Sequence, residues 1–94
     1  MAATLLYRNR TQLDSGALVE EVIWRLPDRD PERPHGYKYR LAYVRGGERI
    51  VGYDNERGKG DHRHYLGREE PYRFVSLDRL LADFLADVAQ EEGR

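Results

Sequence analysis

Tyr37-Lys38-Tyr39-Arg40-Leu41-Ala42-Tyr43-Val44-Arg45-Gly46-Gly47-Glu48-Arg49-Ile50-Val51-Gly52-Tyr53 decides the fold. Its first half alternates: Tyr37, Tyr39, Leu41 and Tyr43 share one face, while Lys38 and Arg40 share the other with Ala42 and Val44. A period of two in aromatic and β-branched residues is a strand pattern, and this strand has one aromatic face and a partly basic reverse. Arg45-Gly46-Gly47-Glu48 joins it to Arg49–Tyr53, and adjacent glycines supply the positive φ angles of a tight hairpin turn. The stripe of Tyr37, Tyr39 and Tyr43 reads as core and cross-strand packing, although stacking on RNA would use the same residues.

Working outward, Leu5 to Gln12 and Ala17 to Leu26 flank the turn cluster Asp14-Ser15-Gly16 and form a second hairpin, with Trp24 expected in the core. Arg8 and Arg10 lie two apart on one strand face and read as solvated edge charges that could contact phosphates. The charged, Pro-containing connection from Asp28 to His35 cannot pair inside a sheet, so an exposed, mobile loop is expected there, with His35 on the surface. Downstream, Arg68-Glu69-Glu70 reads as a solvated turn and Tyr72 to Val75, after Pro71, as a short strand.

From Leu77 the apolar residues fall at 77, 80, 81, 84, 85 and 88, a helical stripe with Asp78, Arg79, Asp83, Asp87 and Glu91 largely opposite and solvated. Ser76 stands at the N-cap, Asp78 complements the helix dipole, and the helix should run to about Gln90 and end at Gly93. The fold class is α+β: a four- to five-stranded antiparallel meander with one C-terminal amphipathic helix packed on one face, in a single domain over 1–94.

With 94 residues there is room for one core, which excludes a multi-domain enzyme. The net charge of -1 excludes a wholly basic nucleic-acid coat protein. Residues 1–75 carry 14 basic and 12 acidic groups (+2) and residues 76–94 carry 2 and 5 (-3), so the positive part precedes the helix. Having no cysteine, the chain has neither disulfides nor a thiolate metal site or nucleophile. With no apolar run approaching the ~18 residues of a membrane span, a soluble cytoplasmic protein with no membrane partner is expected.

Chemistry concentrates in Tyr53-Asp54-Asn55-Glu56-Arg57-Gly58-Lys59-Gly60-Asp61-His62-Arg63-His64-Tyr65. Gly58 and Gly60 free the backbone to turn, with Lys59 at the tip. His62 and His64 are spaced i, i+2, so in an extended segment both rings point to one side and Arg63 to the other. Such a pair can bind a metal through neutral imidazoles or serve as general base and acid near neutral pH, with Asp61 or Asp54 as a third ligand or as the group orienting a ring.

The run from Gly52 to His64, followed by Arg68-Glu69-Glu70-Pro71-Tyr72-Arg73-Phe74 and Leu80-Leu81-Ala82-Asp83-Phe84, resembles the TumE-like family of small toxins from bacterial type II toxin-antitoxin pairs. The resemblance implies a cognate antitoxin with a helix-turn-helix DNA-binding domain, and it suggests RNA as the target, since small toxins of this kind often cut RNA. On the residues themselves, His62 and His64 would be the base and acid of metal-free RNA cleavage, with Lys59 and Arg57 or Arg63 stabilising the phosphate charge and Asp61 or Asp54 fixing a ring. Tyr53 and Tyr65, with Arg57 and Arg63, would bind substrate. No metal or cofactor is required. The alternatives are a nuclease whose divalent ion is held by His62, His64 and a carboxylate, and a non-enzymatic toxin that binds and blocks a macromolecular target.

Overall fold

The computed structural model describes residues 2–28, 31–56 and 58–94. Six strands follow one another and each pairs antiparallel with the next: β1 (Thr4–Gln12), β2 (Leu18–Arg25), β3 (Tyr37–Arg45), β4 (Glu48–Asp54), β5 (His62–Tyr65) and β6 (Arg68–Pro71). The helix α1 (Leu77–Glu92) closes the chain and packs on the sheet. The fold is therefore the expected α+β meander with one strand more. Gly46 (φ 61) and Gly47 (φ 77) make the β3–β4 turn as anticipated.

The additional strand lies where a turn was expected. Arg68, Glu69 and Glu70 form the exposed edge strand β6, entered through a two-residue turn at Leu66 (φ 50) and Gly67 (φ 81). Leucine is an unusual occupant of a positive-φ position, so the turn carries no conventional sequence signal there. Tyr72 to Val75 joins no strand. Tyr72 and Phe74 pack against the core cluster instead.

The helix-side face of the sheet bears Val19 and Ile23 of β2, Tyr39, Leu41 and Tyr43 of β3, and Ile50, Val51 and Tyr53 of β4, which enclose Leu80, Phe84 and Val88 of α1. Tyr39 and Tyr43 are thus packing residues. Trp24, expected in the core, is half-buried on the opposite face, where the Lys38 ammonium lies 5.4 Å from its ring centre. Among the described residues of the connection after β2, Arg33 is buried and His35 half-buried, so this segment is not the uniformly exposed loop its charge suggested.

Ser76 Oγ accepts from the Arg79 amide at 3.1 Å, and the helix runs two residues beyond Gln90 before Gly93 ends it. Its buried face is turned from the expected stripe: Leu80, Phe84, Asp87, Val88 and Glu91 are buried, whereas Leu85 is 49% exposed. Carboxylates can face the sheet because tyrosine hydroxyls meet them. Tyr72 donates to Asp83, Tyr53 to Asp87 and Tyr65 to Glu91, each at 2.6 Å, and Tyr43 donates to Glu92.

Candidate functional site

The face away from α1 is open, and the register sets its residues in rows. Asp54 pairs with Arg40 on one side and His62 on the other, and Gly52 pairs with Ala42 and His64. His62 and His64 therefore project from the same face of β5, as the i, i+2 spacing required, about 7 Å apart along the strand.

A bulge adds a cation to this face. Tyr43 pairs with Val51 but Val44 with Arg49, so Ile50 is the extra residue of β4. Ile50 and Val51 both enter the core, and Arg49 comes to lie on the same face as Gly52 and Asp54. Its guanidinium rests over Gly52, where a Cβ would meet it at 3.0 Å, and Nη1 donates to Asp54 Oδ2 at 3.2 Å.

His62 is nearly enclosed. Its Nδ1 stands 3.2 Å from the Gly60 carbonyl, while its Nε2 lies against Asp54 Oδ1 and 3.3 Å from Glu69 Oε1. Asp54 Oδ1 is buried and, among the described residues, has no other donor in reach. Every polar neighbour of the ring is thus an acceptor. His64, by contrast, is half-buried and makes no hydrogen bond or ion pair among the described residues. Lys59 stands 61% exposed with Nζ 3.8 Å from Glu69 Oε1, and a depression lined by Lys59, Asp61, His62, Glu69, Glu70 and Pro71 opens beside it.

A family model described as Toxin TumE matches residues 2–92. The chain belongs to the TumE toxin family. Neither a curated protein nor a solved structure matches it at a significant level. Membership of the TumE family implies a cognate antitoxin. No helix among the described residues is long and apolar enough to cross a membrane.

In this TumE-family chain the remaining sequence-predicted site residues lie elsewhere. Asp61, which stands next to His62, turns to the helix side and holds a different ring: His35 Nε2 is 3.1 Å from both of its oxygens and the Tyr39 hydroxyl donates to it at 2.8 Å. Since His35 Nδ1 accepts from the Tyr37 amide at 3.1 Å, Nε2 carries the proton and donates to Asp61. The ring stacks on Phe74 at 4.0 Å between centroids. Burial, reinforced by Asp61, holds the Tyr39 phenol protonated far above its ordinary range.

Arg63, Tyr53 and Tyr65 also face the helix. Arg63 donates to Asp87 through Nε (2.8 Å) and Nη2 (2.9 Å) and to Glu70 through Nη1 (2.6 Å). The Asp87 bonds, against the opposing effect of burial, raise its pKa above the usual arginine value. Tyr53 is 2% exposed, and burial followed by its bond to Asp87 pushes its phenol well up. Arg57 lies outside the described residues.

Sequence reasoning passed over four residues near the two histidine clusters: Arg49, Glu69, His35 and Tyr39. The only sequence sign of Arg49's place is Gly52, whose missing side chain leaves the space the guanidinium occupies. The His35–Asp61 pair spans 26 positions, and no local pattern announces it.

Proposed function

We propose that this toxin is a metal-independent endoribonuclease whose acid and base are His62 and His64. The observation carrying the proposal is the placement of both rings, with Arg49, Asp54 and Lys59, on or beside the sheet face that the helix leaves open. The contrasting surroundings divide the roles. His64, with no partner, takes the proton from the ribose 2′-OH as its oxygen attacks phosphorus. His62, surrounded by acceptors, gives its proton to the departing 5′-oxygen as the P–O5′ bond breaks. The products are a 2′,3′-cyclic phosphate and a 5′-hydroxyl.

Arg49 and Lys59 would stabilise the charge that builds on the phosphate oxygens, and Asp54 would steady His62 through the reaction. Arg63, Tyr53 and Tyr65 hold β4 and β5 against α1. Asp61 anchors the loop before β5 through His35 and Tyr39. The antitoxin, to which the family resemblance attaches a helix-turn-helix domain, would neutralise the toxin by laying an acidic or amphipathic segment over the open face.

Incubating purified toxin with RNA, with and without EDTA, tests this reading. Cleavage that survives EDTA and leaves cyclic phosphate ends is expected. Cleavage lost to EDTA and restored by a divalent ion would transfer the chemistry to a metal held by the same histidines.

A further inference from the structure

The open face continues beyond the histidines across β3, β2 and β1, where it carries Arg40, Lys38, Arg10 and Arg8. Arg8, Arg10 and Arg40 are exposed, and none makes a hydrogen bond or ion pair among the described residues. The helix-side arginines differ: Arg45, Arg63, Arg79 and Arg94 each bond a carboxylate of α1. Glu20, opposite Arg10, is the one carboxylate of β1–β3 on this face, so the four cations outnumber it and positive potential concentrates there.

An aromatic ring sits among these cations. Trp24 is half-buried on the same face and pairs in register with Lys38, whose ammonium lies over its ring. Stacking rings beside backbone-tracking cations are the elements of single-strand recognition, whereas a duplex hides its base faces. Arg40 pairs directly with Asp54, which pairs with His62, so this row leads into the histidine cluster. From β1 to β5 the face spans about 19 Å, room for a few nucleotides.

We infer that the open face of β1–β3 is a binding track for single-stranded RNA, in which Arg8, Arg10, Arg40 and Lys38 contact phosphates and Trp24 stacks on a base. The inference rests on the reading of this toxin as acting on RNA, and it extends the site from the bond that is cut to the strand leading to it.

Trp24 is the sole tryptophan, so its fluorescence reports on this face directly. The test titrates the full chain with a 2′-O-methyl RNA 12-mer, which lacks the attacking hydroxyl and stays intact, and with the duplex of the same sequence. Quenching of Trp24 by the single strand is expected, weakening with salt. The triple variant Arg8→Gln, Arg10→Gln, Arg40→Gln should bind at least about tenfold more weakly, with a slope of log affinity against log salt shallower by about 2.

Binding without quenching, equal binding by the triple variant, or tighter binding of the duplex would each overturn the track. Quenching by an oligoglutamate peptide but not by RNA would overturn it in favour of a protein-docking face. Cleavage of unmodified RNA, assayed in parallel, separates the two readings. Quenching and salt dependence with no cleavage leave the track standing and remove the ribonuclease. Cleavage without quenching, equally fast in the triple variant, does the reverse.

Discussion

The two faces of this sheet treat charge in opposite ways. On the covered face, phenols and guanidinium groups from the sheet meet Asp87, Glu91 and Glu92 of the helix, the Tyr72 phenol beyond β6 meets Asp83, and these charges are built into the fold. On the open face three arginines make no hydrogen bond or ion pair among the described residues, although Glu20 stands opposite Arg10 in register, and Asp54 and Glu69 gather around a histidine. The same residue types therefore hold the domain together on one side and stand available for a ligand on the other. Strand alternation makes this division possible, because neighbouring Arg63 and His64 necessarily serve different faces.

The two faces should differ most in catalysis. His62→Ala and His64→Ala should each reduce RNA cleavage about 100- to 10,000-fold. Their stabilities should differ: His64→Ala changes unfolding free energy by less than about 1 kcal/mol, while His62→Ala leaves a buried Asp54 oxygen unpaired and costs about 1 to 3 kcal/mol. Urea unfolding beside a cleavage assay checks both, and full cleavage by either variant would remove that ring from the site.

On the covered face the order reverses, with stability lost first. Phe84 is fully buried, edge-on to Tyr53 at 6.0 Å, and Phe84→Ala should destabilise by about 3 to 5 kcal/mol. An unchanged unfolding midpoint would show that this helix face is not core. Tyr53→Phe removes one donor from the buried Asp87 carboxylate while Arg63 remains, and should cost about 2 kcal/mol without altering cleavage by the folded protein.

Melting temperature against pH resolves the covered face further. The Tyr65 hydroxyl holds Glu91 below the usual carboxylate range, and the Tyr43 hydroxyl does the same for Glu92. At Asp83 burial opposes the shift, but Tyr72 and Arg79 prevail and lower it. Groups depressed in the fold contribute fully above their unfolded values near about pH 4 and lose that contribution as pH falls through the folded values. At the alkaline end Tyr53 and Tyr72, raised chiefly by burial, contribute fully below about pH 10 and lose it as pH climbs through their folded values. Stability should therefore fall in acid below about pH 4, and Tyr65→Phe should blunt that fall.

The smallest structural change is Gly52→Ala. Its Cβ would meet the Arg49 guanidinium at 3.0 Å, a flexible side-chain end that can swing away. Unfolding free energy should change by less than about 1 kcal/mol while cleavage drops, which separates the position of Arg49 from the integrity of the sheet.

What was legible in the sequence followed from local signals. Gly46-Gly47, the alternation through Tyr37–Tyr43 and the helical repeat after Ser76 announced the hairpin, the strand and the helix, and the His62–His64 spacing announced a shared face. Three features overrode local pattern. Leu66 in a positive-φ turn concealed the β5–β6 hairpin. Asp87 and Glu91 resemble solvated helix residues until the phenols of Tyr53 and Tyr65, 34 and 26 positions away, are placed above them. The extra residue Ile50 moved Arg49 to the opposite face from the one plain alternation gives it.

Inducing the toxin alone in bacteria and mapping RNA 5′ ends, alongside His64→Ala produced at the same level, tests whether the open face cuts RNA. Growth arrest with defined new 5′-hydroxyl ends for the wild-type chain, and neither for His64→Ala, is the predicted result. Arrest with intact RNA, or the same new ends from the variant, would contradict it.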